Sequence, residues 1–318
     1  MPELDLQHHH AAAMVKFVCD SAGMTAIYKS AAAHRDVERW CTERLARWPV
    51  AHRTMALATC IGRTHIVAAG EGGGPQQATP CVVVVPGTNF NAATSIPLAT
   101  ALAAHWPTYV VDVPGQPGLS AGDRPGQHRL TQYGRWLQEV LDEVSPGPTL
   151  LVGHSLGGAI ALACDVPQLI GRVLVSPAGL TRVKVTGRVL AATLPWLARP
   201  TEARSAALLR QMHGPGRRPS YELVSWMTLL ARSCRSSLAP APLPEETLTR
   251  SRRVANVMVT GEDDVFLPLS LLASPAARHL GATVKTVSGA GHLVVEEAPE
   301  TIATLAAALM SGNTTTEL

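Results

Sequence analysis

Long hydrophobic runs are missing from this sequence. Nowhere do eighteen apolar residues stand together, which excludes a membrane-spanning helix. No charged-then-apolar segment opens the chain, so no secretory leader is expected. The six cysteines, at 19, 41, 60, 81, 164 and 234, are scattered without a CxxC pair or any metal-like spacing. Free thiols in a cytoplasmic protein are therefore expected. Aromatic residues are few, internal repeats are absent, and the net charge is only +3. That balance is too small to imply a nucleic-acid partner or a membrane surface. The histidine tract at 8–10 is read as part of a polar tail and not as a metal site.

What is present reads as alternating strands and helices. At 318 residues the chain can hold one large α/β domain with a core that needs no disulfide staple. "HRDVERWCTERLARW" (34–48) is helical and stops at Pro49. "RTMALATC" and "THIVAAG" are two strands with a turn expected at Gly62–Arg63, followed by the glycine-rich loop "GEGGGP". "CVVVV" is a continuous β-branched run, as suits a strand covered on both faces. "TYVVDV", "TLLVGH", "RVLVSP", "ANVMVTG" and "TVKTVSG" bring the strands to eight. In "LTQYGRWLQEVLDEV", Leu130, Tyr133, Leu137, Val140, Leu141 and Val144 share one helical face. The alternation predicts an α/β fold: an eight-stranded, mostly parallel sheet with helices on both faces.

One connection is much longer than the rest. About seventy-five residues separate "RVLVSP" from "ANVMVTG". Within them, Leu223, Met227, Leu230 and Cys234 line one face of a helix that Ser220 is placed to cap. Residues 178–240 hold ten Arg or Lys against Glu202 and Glu222, so the remainder of the chain is net acidic. This basic stretch is either a solvated face or a region that steers anions.

The chemistry gathers around "GHSLGG". Gly153, Ser155 and Gly157 fit G-x-S-x-G, with a strand before and a small-residue helix after. A sharp strand-to-helix turn crowds its neighbours, and glycine on either side removes the clashing side chains. Free N–H groups at the helix start favour negative charge. A serine hydroxyl needs a base, and the base needs an orienting carboxylate. "GAGHLVVEEAPE" supplies His292, and "VTGEDDVFLP" supplies Asp263 and Asp264.

With "VVVVPGT" and "VVDVPGQPGLS", these motifs resemble the α/β-hydrolase superfamily, in particular its capped, serine esterase- or lipase-like members, over about residues 50–310. The resemblance implies an α/β-hydrolase core at 50–178 and 241–312, with a helical cap at 179–240 after the sixth strand. A helical extension would occupy 1–49 and a flexible tail 313–318. It assigns Asp264, and not Asp263, as the acid of a Ser155–Asp264–His292 triad. No carboxylate follows "RVLVSP", where some relatives carry theirs; Ser176 stands there. The oxyanion hole is expected from the backbone N–H groups of Leu156 and Thr88, in a loop reading Pro86-Gly87 where relatives read His-Gly. Asn89 and Asn91 either touch substrate or cap the next helix. Leu194, Trp196, Leu197, Trp226 and Met227 either line a substrate pocket or pack the cap; Asn89, Trp196, Trp226 and Met227 are carried forward as candidate substrate contacts. Asp112 and Ser120 are expected to be structural, Cys164 to lie in the core, and His154 to face away from Ser155 and support the elbow.

The implied activity is hydrolysis of a carboxylic ester or thioester of a small to medium, largely apolar substrate through an acyl-enzyme, with no metal and no cofactor. Aspartate at the elbow would suit dehalogenase or epoxide-hydrolase chemistry, and serine stands there instead. The same residues also suit acyl transfer, ester elimination in natural-product tailoring, or a ligand-binding protein. The expected partner is a small molecule, with no nucleic acid and no membrane; the oligomeric state is left open.

Overall fold

The eight expected strands form one sheet in a computed structural model that describes residues 24–70, 80–145, 147–235 and 239–312. The histidine tract, Cys19, most of the glycine-rich loop and the 313–318 tail lie outside the described residues. The strands are β1 (His52–Thr59), β2 (Gly62–Ala69), β3 (Cys81–Val85), β4 (Thr108–Val111), β5 (Thr149–His154), β6 (Leu169–Val175), β7 (Ala255–Gly261) and β8 (Val284–Val287). Their spatial order is β8-β7-β6-β5-β3-β4-β2-β1. Only β2 runs antiparallel to its neighbours, and every other pairing is parallel.

The β-branched runs are buried because alternate side chains enter two cores. Val82, Val84, Leu150 and Val152 face one core, whereas Val83, Val85 and Leu151 face the other. The first core is covered by α2 (Ile96–Ala103) and α10 (Pro299–Met310), the second by α3 (Arg129–Val144), α4 (Leu156–Ala163) and α9 (Leu269–Pro275). Five of the six predicted apolar positions of α3 are buried, and Leu130 is half-buried. One boundary moves: the expected turn at Gly62–Arg63 falls at residues 60 and 61. Gly62, at φ 109°, already pairs with Thr59 as the first residue of β2.

Between β6 and β7 lie α5 (Gly187–Ala198), α6 (Glu202–Met212), α7 (Tyr221–Ser233) and α8 (Glu245–Arg250). Ser220 caps α7, its Oγ accepting from the Leu223 N–H at 3.3 Å. The helix before β1, α1 (Ala31–Ala46), packs on α7, with Trp40 and Trp226 ring centroids 4.7 Å apart. The segment leading into α1 ties two distant regions together. Ile27 donates to the Gly122 carbonyl, Lys29 to that of Ser233, and Arg235 returns a bond to that of Ile27. Asp112 braces the core loops, accepting from the Ala92 and Leu119 N–H groups at 2.7 and 2.9 Å. Ser120 straps β2 to the same region: it accepts from the His65 N–H and donates to the Asp112 carbonyl.

Candidate active site

Ser155 sits between β5 and α4 with φ 49° and ψ −111°, a conformation that side-chain-bearing residues rarely adopt. The surroundings hold it there. Its N–H donates to the Val175 carbonyl, and its own carbonyl accepts from Gly158, Ala159 and Ala178. The flanking glycines are required by space. A Cβ on Gly157 would lie 1.8 Å from the Val85 carbonyl oxygen, and one on Gly153 would lie 2.6 Å from that of Gly157. Cys164, at the far end of α4, is buried in the second core, as expected.

The loop after β8 carries His292 to the same place. Its N–H donates to the Met212 carbonyl at 2.7 Å, and its Nδ1 lies 2.9 Å from Asp264 Oδ2. Asp264 is itself fully engaged. Oδ1 accepts from the N–H groups of Phe266 and Leu267, and Oδ2 from the Thr260 hydroxyl. Burial pushes its carboxyl up, but the adjacent His292 imidazole and these hydrogen bonds outweigh burial and hold it well below the usual carboxylate range. An ionised Asp264 accepts from Nδ1–H, which leaves Nε2 of His292 as the nitrogen with the lone pair.

Two further groups support the site: the first is not evident from the sequence, and the second is expected to support the elbow while facing away from Ser155. The Glu297 side chain is buried, and its two oxygens accept from the N–H groups of Gly214 and Gly291 at 2.8 Å each. It thus clamps the His292 loop to the end of α6. The adjacent pair Glu296–Glu297 within "HLVVEEAPE" is the one available signal. His154 is the other group, and here the expectation is corrected. It does not face away from Ser155 but lines the same cavity. As the last residue of β5 it continues the face of Val152, over which the His292 loop crosses. Its Nε2–H donates to the His292 carbonyl at 3.0 Å, and the two rings lie 5.1 Å apart. Burial first, then the neighbouring His292, lower its pKa to about 3, so it is neutral.

The loop after β3 forms another wall. Asn89 has φ 67°; its N–H donates to Gln116 Oε1 and its carbonyl accepts from Trp226 Nε1. Asn91, not Asn89, is the capping residue, with its Oδ1 accepting from the Thr94 N–H.

Between this loop, the β5–α4 turn and helices α5–α7 lies a cavity of about 390 Å³. Thr88, Asn89, Ser155, Trp196, Met227 and His292 all line it. Leu156 stands directly behind Ser155, its N–H at the first position of α4. Trp226 is a correction: it is fully buried away from the cavity, held between Trp40 and the Asn89 carbonyl. Leu197 reaches the cavity, whereas Leu194 points to solvent and is 63% exposed. Among the described residues no helix is long and apolar enough to cross a membrane.

Residues 82–305 match the profile of the Alpha/beta hydrolase family. The sequence is similar to carboxylesterase YbfK of Bacillus subtilis strain 168, at 29% identity over 139 residues, 43% of this chain and 45% of that protein. The matched stretch thus spans less than half of that relative. Among solved structures, the crystal structure of carboxylesterase CesB (YbfK) from Bacillus subtilis superposes with a TM-score of 0.71 at 19% identity, covering 88% of this chain and 99% of that one. Naproxen esterase (carboxylesterase NP) from Bacillus subtilis gives 0.70 at 20% identity, covering 86% and 96%. At these identities the superpositions establish the fold.

Proposed function

The chain belongs to the alpha/beta hydrolase family, and on that premise we propose that it is a serine carboxylesterase acting through an acyl-enzyme. His292 Nε2 takes the proton of Ser155 Oγ as the oxygen attacks the carbonyl carbon of an ester or thioester. The tetrahedral oxyanion is received by the N–H groups of Leu156 and Thr88; losing one such donor costs about 3 kcal/mol in the barrier. His292 then protonates the leaving alcohol or thiol, and the C–O or C–S bond breaks. Water, deprotonated by the same nitrogen, attacks the acyl-enzyme and frees the acid. Asp264 fixes the tautomer of His292 and stabilises the imidazolium.

The observation that carries this reading is the hydrogen-bonded His292–Asp264 pair on the cavity that Ser155 enters from a positive-φ turn. The carboxylesterases it resembles add support. A largely apolar cavity of about 390 Å³ suits a small to medium apolar acyl or alcohol group. In this reading residues 179–240 act as a cap over a core formed by 50–178 and 241–312. Cys41, Cys81, Cys164 and Cys234 are free thiols, which agrees with a place in the cytoplasm. The test is hydrolysis of p-nitrophenyl esters from C2 to C12 by the wild type and Ser155→Ala. Turnover by the wild type that Ser155→Ala abolishes is expected, and unchanged turnover in Ser155→Ala refutes the assignment.

A further inference from the structure

Among the described residues, Arg235 is the only arginine or lysine that lines the cavity. Among the described residues no Asp or Glu lies within ion-pair distance of it. It is nevertheless held in place. Its backbone N–H donates to the Ile27 carbonyl at 2.8 Å, and its Nη1 donates to the carbonyls of Ala26 and Tyr28 at 2.9 and 3.2 Å. Those two bonds use both hydrogens of Nη1. The edge left over carries Nε–H and the Nη2 hydrogen beside it. An edge of that shape matches a carboxylate through two parallel hydrogen bonds.

The rest of the cavity makes such a cation conspicuous. Its wall is mainly aliphatic and aromatic, whereas Arg235 is exposed and stands where the cavity meets solvent, placed for the distal end of a ligand whose apolar part fills the cavity. The field around it has the same sense. Residues 178–240 hold ten basic residues against two acidic ones, which favours entry of an anion. The arginine belongs to the stretch after α7 but is fixed by the segment before α1, so the N-terminal region helps to shape the substrate site.

We propose that Arg235 is a specificity residue that binds a carboxylate carried at the far end of the substrate, so that the preferred substrates are apolar esters with an anionic terminus, such as monoesters of medium-chain dicarboxylic acids. This rests on the esterase reading above. The test compares mono-p-nitrophenyl esters of dicarboxylic acids of six to ten carbons with the same compounds blocked as methyl esters at the free end. At one or more chain lengths the free acid is expected to be preferred in kcat/KM by roughly 2- to 5-fold, the span for an ion pair at an exposed site. In Arg235→Gln the ratio of acid to blocked ester falls to about one, whatever the change in absolute rate; in Arg235→Lys, which lacks the planar fork, part of it returns. A ratio near one at every length in the wild type, or a preference that survives Arg235→Gln, overturns the proposal. The blocked esters separate the two readings, because their turnover by the wild type tests the esterase and not the arginine. Should they not be turned over, calorimetric binding of monomethyl against dimethyl suberate to the wild type and Arg235→Gln makes the same comparison without chemistry, with the same two outcomes.

Discussion

His154 couples the stability of the fold to pH, and the size of the effect follows from its position. The ring is buried, beside His292, and its pKa falls from 6.5 to about 3. In the folded chain it stays neutral, whereas in the unfolded chain it takes up a proton below about pH 6.5. The unfolded state therefore binds more protons, and stability falls as the solution is acidified from 6.5 towards 3. Between pH 7 and pH 5 this one group removes about 2 kcal/mol from the unfolding free energy. That figure depends on the unfolded value and hardly on the folded one, provided the latter stays below about 4. His154→Gln keeps an N–H donor for the His292 carbonyl but cannot be protonated. The assay is urea unfolding of both proteins at pH 7 and pH 5, read by tryptophan fluorescence. The wild type should lose about 2 kcal/mol more than the variant over that interval. Equal losses would refute the argument, because His154 would then titrate alike in both states.

Three further outcomes follow from the geometry. Glu297→Ala leaves the buried N–H groups of Gly214 and Gly291 without their acceptor; it should cost roughly 2–5 kcal/mol in denaturant unfolding. Gly157→Ala drives a Cβ into the Val85 carbonyl, and calorimetric unfolding should show a loss of at least about 3 kcal/mol. Asp264→Asn keeps an oxygen for the Phe266 and Leu267 N–H groups but offers His292 the wrong partner; kcat on p-nitrophenyl butyrate should fall by roughly 10⁴-fold while the circular dichroism spectrum is kept.

The sheet is legible in the sequence because burial on both faces leaves a residue-by-residue mark. "ANVMVTG" is β7 to the residue, and "CVVVV" is β3. The elbow is legible for the same kind of local reason: spacing of small residues around one serine, at a strand end and a helix start. The Asp264–His292 contact spans 28 residues, and the resemblance, not local pattern, selected Asp264 over Asp263. Other features depend on partners far along the chain. Trp196 and Trp226 both read as apolar residues of the long insertion. Only Trp40, from the helix before the sheet, makes Trp226 a packing residue while Trp196 reaches the cavity. His154 was misread because its direction depends on where the loop 138 residues later crosses the sheet. The N-terminal segment carries no motif, yet the Lys29 backbone N–H donates to the carbonyl of Ser233, far along the chain. Backbone pairing of this kind is independent of side-chain identity and leaves no pattern to read.

The central claim is that Ser155 becomes acylated. The direct measurement is the intact mass of the protein quenched in acid during turnover of p-nitrophenyl butyrate, followed by peptide mapping. The account predicts a butyryl adduct on the peptide carrying Ser155, absent from Ser155→Ala. A butyryl adduct on any other residue, together with undiminished hydrolysis by Ser155→Ala, would contradict it.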